Sequence, residues 1–270
     1  MKCNELLDLL NQIAPKKCVA DWDNSGFLVG DRESNINKVM LALDPTFDVI
    51  EQAIANKVDL LITHHPLLFR KIKSVTTDDV VGRKVLRLIE NKINYVAMHT
   101  NADATIIAQN AAKALSLSEV EVLTGENADA GCVMFDETQP MQEQGYGVVG
   151  NLLNPMPAGS LACKIKECFE IDTLNLYGDK SKDVKRVAVL PGSGGEEIVM
   201  AMGKGADIYI TGDIKYHEGL DAKESGFVVI DAGHYGLEKS FPKLLAYELS
   251  KKIPELSVVC AQENMPYEIM

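Results

Sequence analysis

Val58-Asp-Leu-Leu-Ile62, running into Thr63-His64-His65-Pro66, decides the fold. The run is short, aliphatic and closed by a polar turn, the pattern of a strand buried on both faces in a parallel sheet. Working outward, Val39-Met-Leu-Ala-Leu43 reads as another strand, and residues 47–56 between the two carry helical periodicity. Downstream, the spacing predicts a helix over 80–91 with Val81, Val85, Leu88 and Ile89 along one stripe. Ile93-Asn-Tyr-Val-Ala-Met98 is a third strand and ends in His99-Thr-Asn-Ala-Asp103, with a further helix from about 105 to 115. Strands that alternate with helices imply an α/β fold whose mainly parallel sheet is covered on both faces. Ahead of this unit, residues 3–13 form an amphipathic helix (Leu6, Leu9, Leu10, Ile13) that Pro15 stops. Trp22-Asp-Asn-Ser-Gly-Phe-Leu-Val-Gly30 is a turn-rich stretch feeding a strand.

The same order recurs late in the chain. Val187-Ala-Val-Leu190 is a strand, 196–204 a helix, and Ala206-Asp-Ile-Tyr-Ile210 a strand that delivers Thr211-Gly-Asp213. Gly226-Phe-Val-Val-Ile230 then delivers Asp231-Ala-Gly-His-Tyr-Gly-Leu-Glu238. Val58-Asp-Leu-Leu-Ile-Thr63 aligns with Ala206-Asp-Ile-Tyr-Ile-Thr211, so the chain reads as an internal duplication around 37–118 and 185–250. Between them the composition turns acidic and Gly/Pro-rich, with a strand near Tyr146–Leu152, a helix over 158–169 and a strand at 172–177. The expected division is a first α/β half over 1–124, a connecting subdomain over 125–184 and a second α/β half over 185–270.

Composition excludes several classes. The 270 residues are 46% hydrophobic and 24% charged, which suits a globular protein with an ample core. No apolar run approaches the roughly 20 residues of a membrane span, and the N-terminus lacks the order of a secretion signal. Six cysteines (Cys3, Cys18, Cys132, Cys163, Cys168, Cys260) are scattered without a Cys-x-x-Cys pair. They point to a reduced, cytoplasmic protein without a disulfide frame or zinc knuckle. A formal net charge of −12 without a basic tract speaks against nucleic acid as a partner.

Ligands of parallel α/β sheets gather beyond the carboxyl ends of the strands. Four such ends carry His64-His65, His99 with Asp103, Asp213 with His217, and His234 with Glu238, and these include all five histidines of the chain. On a helix starting near His234, His234 and Glu238 share one face. Imidazole with carboxylate suits borderline divalent ions. Adjacent His64 and His65 are expected to diverge at a strand end, which favours two neighbouring ions over one. His99 and His217 could shuttle protons or orient ligands, and plain structural roles are open for both. Asp213 and Asp231 could accept hydrogen bonds from metal-bound imidazoles or serve only as turn residues. Pro191-Gly-Ser-Gly-Gly195 lacks the Lys-Ser/Thr of a P-loop and reads as a tight turn.

Across Trp22–Gly30, Ile62-Thr-His-His-Pro66, His99-Thr-Asn-Ala-Asp103, Thr211-Gly-Asp-Ile-Lys-Tyr-His217 and Gly233-His-Tyr-Gly-Leu-Glu238 the chain resembles the Nif-three-like dinuclear metal-centre family, the GTP cyclohydrolase 1 type 2 homologues. The resemblance implies a three-layer α/β/α fold built from two related halves and a toroidal homohexamer. It implies His64, His65, Asp103, His234 and Glu238 as ligands of two divalent ions (zinc, iron, manganese, cobalt or nickel), with Glu238 bridging. It further suggests a metal-dependent hydrolase acting on a phosphorylated or heterocyclic, GTP-like small molecule through a metal-activated water, with His99 or His217 moving protons. The competing expectation is a non-catalytic ring that handles metal or recruits a protein partner.

Overall fold

The apolar runs of the sequence become the strands of two sheets in the computed structural model, which describes residues 1–124 and 145–269. Part of the expected connecting segment, with Cys132, lies outside the described residues. In chain order the elements are α1 (Cys3–Ile13), β1 (Gly26–Val29), β2 (Lys38–Ala42), α2 (Phe47–Ala55), β3 (Leu60–Thr63), α3 (Val80–Glu90), β4 (Asn94–Ala97) and α4 (Thr100–Ala102). A π-helical turn, Asp103–Ile107, leads into α5 (Ala108–Leu115), β5 (Ser118–Val122), β6 (Val148–Pro157), α6 (Ala158–Cys168), β7 (Asn175–Tyr177) and β8 (Asp183–Ser193). α7 (Ile198–Gly203), β9 (Ile208–Gly212), α8 (Tyr216–Glu224), β10 (Val228–Asp231) and α9 (His234–Glu238) follow, and α10 (Phe241–Lys252) and β11 (Ser257–Cys260) close the chain.

The chain divides into two compact units, residues 1–102 with 241–270, and residues 103–240. This differs from the expected boundaries near 124 and 184. β11 pairs in parallel with β2 and so belongs to the first unit. The described part of the middle segment does not stand apart either, because β6 and β7 are strands of the second sheet. Long-range strand pairing of this kind leaves no local mark in a sequence.

The first sheet has the order β1-β4-β3-β2-β11, with all neighbours parallel except antiparallel β1. The second has the order β5-β6-β8-β9-β10-β7, parallel through β8-β9-β10 and antiparallel at its other pairings. The central strands are buried on both faces, as their uninterrupted apolar runs require: Leu60, Leu61 and Ile62 in one sheet, Ile208, Tyr209 and Ile210 in the other. The starts of α2 and α3 are set by short polar side chains. Thr46 Oγ1 accepts from Val49 N–H at the start of α2, and Asp79 Oδ1 accepts from Gly82 N–H at the start of α3. The buried stripe of α3 is Gly82, Val85 and Leu88; Ile89, expected on it, is exposed.

The internal duplication survives at the level of single hydrogen bonds. Asp59 Oδ2 accepts from the backbone N–H groups of Asn37 and Lys38, and Asp207 Oδ2 accepts from those of Lys185 and Arg186. Just before these aspartates, Lys57 and Gly205 both turn the chain with a positive φ (53° and 72°). One strand later, Met98 N–H donates to Thr63 O and Ala232 N–H donates to Thr211 O.

Candidate metal centre

In the first unit three imidazoles meet at the carboxyl ends of β3 and β4. The backbone bends directly after Thr63, so the alternation of a strand stops there and the His64 and His65 rings turn toward each other, 4.8 Å between centroids. The expected divergence of this pair is therefore not found. His99, just beyond β4, completes the group, and one ring nitrogen from each of His64, His65 and His99 lies within 4.8 Å of the others.

Each ring is oriented by its Nδ1. His64 Nδ1–H donates to the Met98 carbonyl (2.9 Å), His65 Nδ1–H to Asp44 Oδ1 (2.8 Å) and His99 Nδ1–H to Asp23 Oδ1 (2.9 Å). A carbonyl or an ionised carboxylate only accepts, which fixes the neutral tautomer and makes Nε2 the lone-pair nitrogen. The supports are themselves anchored. Glu263, in the C-terminal tail of this unit, accepts from Leu43 N–H (2.7 Å) and Asp44 N–H (2.9 Å). Asp23 Oδ2 accepts from the Ser25 and Thr100 hydroxyls, each at 2.6 Å. Burial pushes the Asp23 carboxyl up, but the His99, Ser25 and Thr100 hydrogen bonds and the attraction of His99 outweigh it and hold the group well below the usual carboxylate range.

In the second unit Gly233, with φ 76°, reverses the chain after β10, and α9 then sets His234 above Glu238. His234 Nε2 and Glu238 Oε2 are 3.0 Å apart, the same-face placement that the four-residue spacing predicts. His234 Nδ1–H donates to Asp213 Oδ2 (2.8 Å), so Asp213 takes the accepting role open to it. Asp231 instead braces its own turn, accepting from Ile214 N–H and Gly233 N–H. Glu238 is 2% exposed, and a carboxylate oxygen of Asp103 lies within 4.8 Å of it. Asp103 opens the π turn, a distortion frequent at functional sites. Two carboxylates this close, one of them buried, repel unless a proton or cation lies with them.

Gly192 explains how Glu238 fits. Its φ is 85°, and a Cβ there would meet Glu238 Oε1 at 2.5 Å. The stretch 191–195 is thus not the tight turn expected of it; β8 runs through Ser193, and its backbone makes room for the glutamate. His217 lies exposed on α8 with its ring against Tyr216, and it is not among the clustered donors of the described residues. Asp23, Asp44, Glu263 and Gly192 were not singled out from the sequence. Asp44 follows β2 at its carboxyl end, so the strand-end rule that found the histidines could have found it too.

Imidazole nitrogens held through Nδ1 by carboxylates or a carbonyl in the first unit, and an imidazole with closely set carboxylates in the second, are each donor types that suit a divalent ion of the zinc-to-manganese range. Among the described residues no helix is long and apolar enough to cross a membrane.

The chain has counterparts among known proteins. The Duf34/NIF3 (NGG1p interacting factor 3) family description matches residues 1–266. A Clostridium perfringens protein named GTP cyclohydrolase 1 type 2 homolog is 38% identical over 255 residues, 94% of this chain and 92% of that one. Its namesake in Clostridium acetobutylicum is 36% identical over 253 residues, 94% of this chain and 90% of that one. The crystal structure of Staphylococcus aureus protein SA1388 superposes with a TM-score of 0.85 at 28% identity, covering 100% of this chain and 99% of that one.

Proposed function

The chain belongs to the Duf34/NIF3 family, and from that premise we propose that it is a metal-dependent hydrolase of a small phosphorylated heterocycle of the GTP type. His64, His65, Asp103, His234 and Glu238 are the proposed ligands of two divalent ions, with Glu238 as the shared carboxylate. The observation that supports this most is the orientation of the imidazoles: Nδ1 of His64, His65 and His234 is committed to a carbonyl or carboxylate, as in established metal sites. A bound ion pair would acidify water and offset negative charge developing on the substrate. His99 is the proposed proton carrier. Its Nδ1–H is held by buried Asp23, which stabilises the imidazolium formed when Nε2 takes a proton. His217, exposed on α8, is left without a part. Substrate class follows the relatives' name, GTP cyclohydrolase 1 type 2 homolog. Assembly into a hexameric ring is part of the same reading.

Elemental analysis of purified protein and of His65→Ala tests the ligand set, with about two ions per chain in the parent and a clear loss in the variant. Incubating metal-loaded protein with nucleotides and pterins tests the reaction. Reversible metal exchange without turnover of any of them would favour the metal-handling ring instead.

A further inference from the structure

Trp22 and Phe69 are large aromatic side chains that the first unit leaves in water, 61% and 49% exposed. They are not scattered. Their ring centroids are 6.1 Å apart at 66°, and each ring packs edge-on against His99, at 5.9 Å and 6.2 Å. The pair therefore borders the imidazole cluster of this unit. Both rings stand on a braced frame. Asn24 Nδ2 donates to the Leu68 carbonyl, tying the Trp22 turn to the backbone beside Phe69, and Asn24 N–H donates to Asp23 Oδ1. Asp23 also receives His99, Ser25 and Thr100.

Directly after Phe69 come Arg70, Lys71 and Lys73, all exposed and in no ion pair among the described residues. Three cations in four positions are too few for a nucleic-acid face, yet they stand out in a chain of net charge −12. They suffice for one phosphate group.

We propose that Trp22 and Phe69 form the stacking subsite for a planar heterocycle, and that Arg70, Lys71 and Lys73 receive its phosphate. The assignment rests on the reading of the His64, His65 and His99 cluster as the reaction centre, and it names the residues that select the substrate. Exposed aromatic faces lose water at low conformational cost, and stacking tolerates any flat ring. The tilt between the two rings lets one supply a face while the other supplies an edge. Cations beside the platform discriminate a phosphorylated ligand from its nucleoside.

Trp22 is the only tryptophan of the chain, so its emission reports directly on the subsite. The metal-loaded full chain is titrated with GTP, with guanosine and with inorganic triphosphate, and calorimetry follows the same titrations. GTP is expected to change the emission saturably and more tightly than guanosine does. Phe69→Ala should weaken GTP by about tenfold, the order expected when one base–aromatic stack is lost. The triple variant Arg70→Ala, Lys71→Ala, Lys73→Ala should weaken GTP and leave guanosine unchanged. Circular dichroism and unchanged metal content certify that these surface variants are folded.

Absence of saturable binding by GTP, or parental affinity in Phe69→Ala, overturns the subsite. So does emission that changes with protein concentration alone, since a second copy of the chain would then cover the patch. Failure of the hydrolase reading looks different: GTP binds with the expected dependence on Phe69, and no product forms. Turnover with an unaltered KM in Phe69→Ala would remove the subsite and leave the hydrolase standing.

Discussion

The two sheets share a plan and part company in what they carry. In each, a parallel triple (β4-β3-β2 and β10-β9-β8) is flanked beside β4 or β10 by a short antiparallel strand, β1 or β7. The aspartate braces at Asp59 and Asp207 and the positive-φ turns at Lys57 and Gly205 coincide. Beyond the middle strand, however, Thr63 leads into His64-His65, while Thr211 leads into Gly212-Asp213. The first unit carries imidazoles held by carboxylates and a carbonyl; the second carries Asp103 and Glu238 with one imidazole. Scaffold positions kept the same backbone bonds because the fold needs them, and the strand ends were open to change because it does not.

The largest expected effects break the common principle of the two donor sets, an Nδ1–H held by a carboxylate. Asp44→Ala in the first unit and Asp213→Ala in the second should each weaken metal binding by roughly 10–100-fold. Competition with a chelator measures both. A loss confined to one variant would mean that the units do not hold metal by the same device.

Acid should act on the first unit through its buried carboxylate. The Asp23 side chain is 0% exposed beside His99, whereas Asp213 is 55% exposed beside His234. Asp23 titrates below its unfolded value, so its stabilisation is fully present above a pH of about 4 and fades as pH falls through the lower, folded value. Urea unfolding followed down the pH scale should be flatter for Asp23→Asn than for the parent. A slope unchanged in Asp23→Asn would mean that acid acts on the fold through some other group.

The shared scaffold gives smaller and matched effects. Asp59→Ala and Asp207→Ala each strand two backbone donors at a half-buried turn, a destabilisation of about 1–2 kcal/mol apiece. Denaturant midpoints that differ by more than the two assays' scatter would show that the duplication is one of shape only.

Much of this was legible before any coordinates. Apolar runs closed by polar turns located β2, β3, β4, β9 and β10, because strands buried on both faces are mostly apolar. Strand-end chemistry singled out five histidines and Asp103, of which His217 stays outside the clustered donors of the described residues, and a four-residue spacing on one helical turn brought His234 to Glu238. The meeting of His64 and His65 was not legible, since it depends on a bend after Thr63 that pattern alone does not mark. Nor was the pairing of β11 with β2, a contact between residues more than 200 positions apart. Asp23 and Asp44 look like ordinary turn aspartates until the ring that each one holds is seen.

The finest comparison is between Lys57 and Gly205, the same turn occupied by different residues. Lys57 holds φ 53°, a left-handed conformation that costs an L residue about 1–2 kcal/mol relative to glycine. Gly205 holds φ 72° without that strain, and a Cβ there would meet nothing within 4 Å. Replacing Lys57 by glycine relieves the strain but frees the unfolded chain, an opposing term of about 0.4–1 kcal/mol. Gly205→Ala reverses both terms. The two substitutions should therefore shift the denaturation midpoint in opposite directions, Lys57→Gly upward and Gly205→Ala downward, each by less than either aspartate variant. Shifts of the same sign would mean that the backbone at one of these turns relaxes on substitution, and that the two copies hold their common turn by different means.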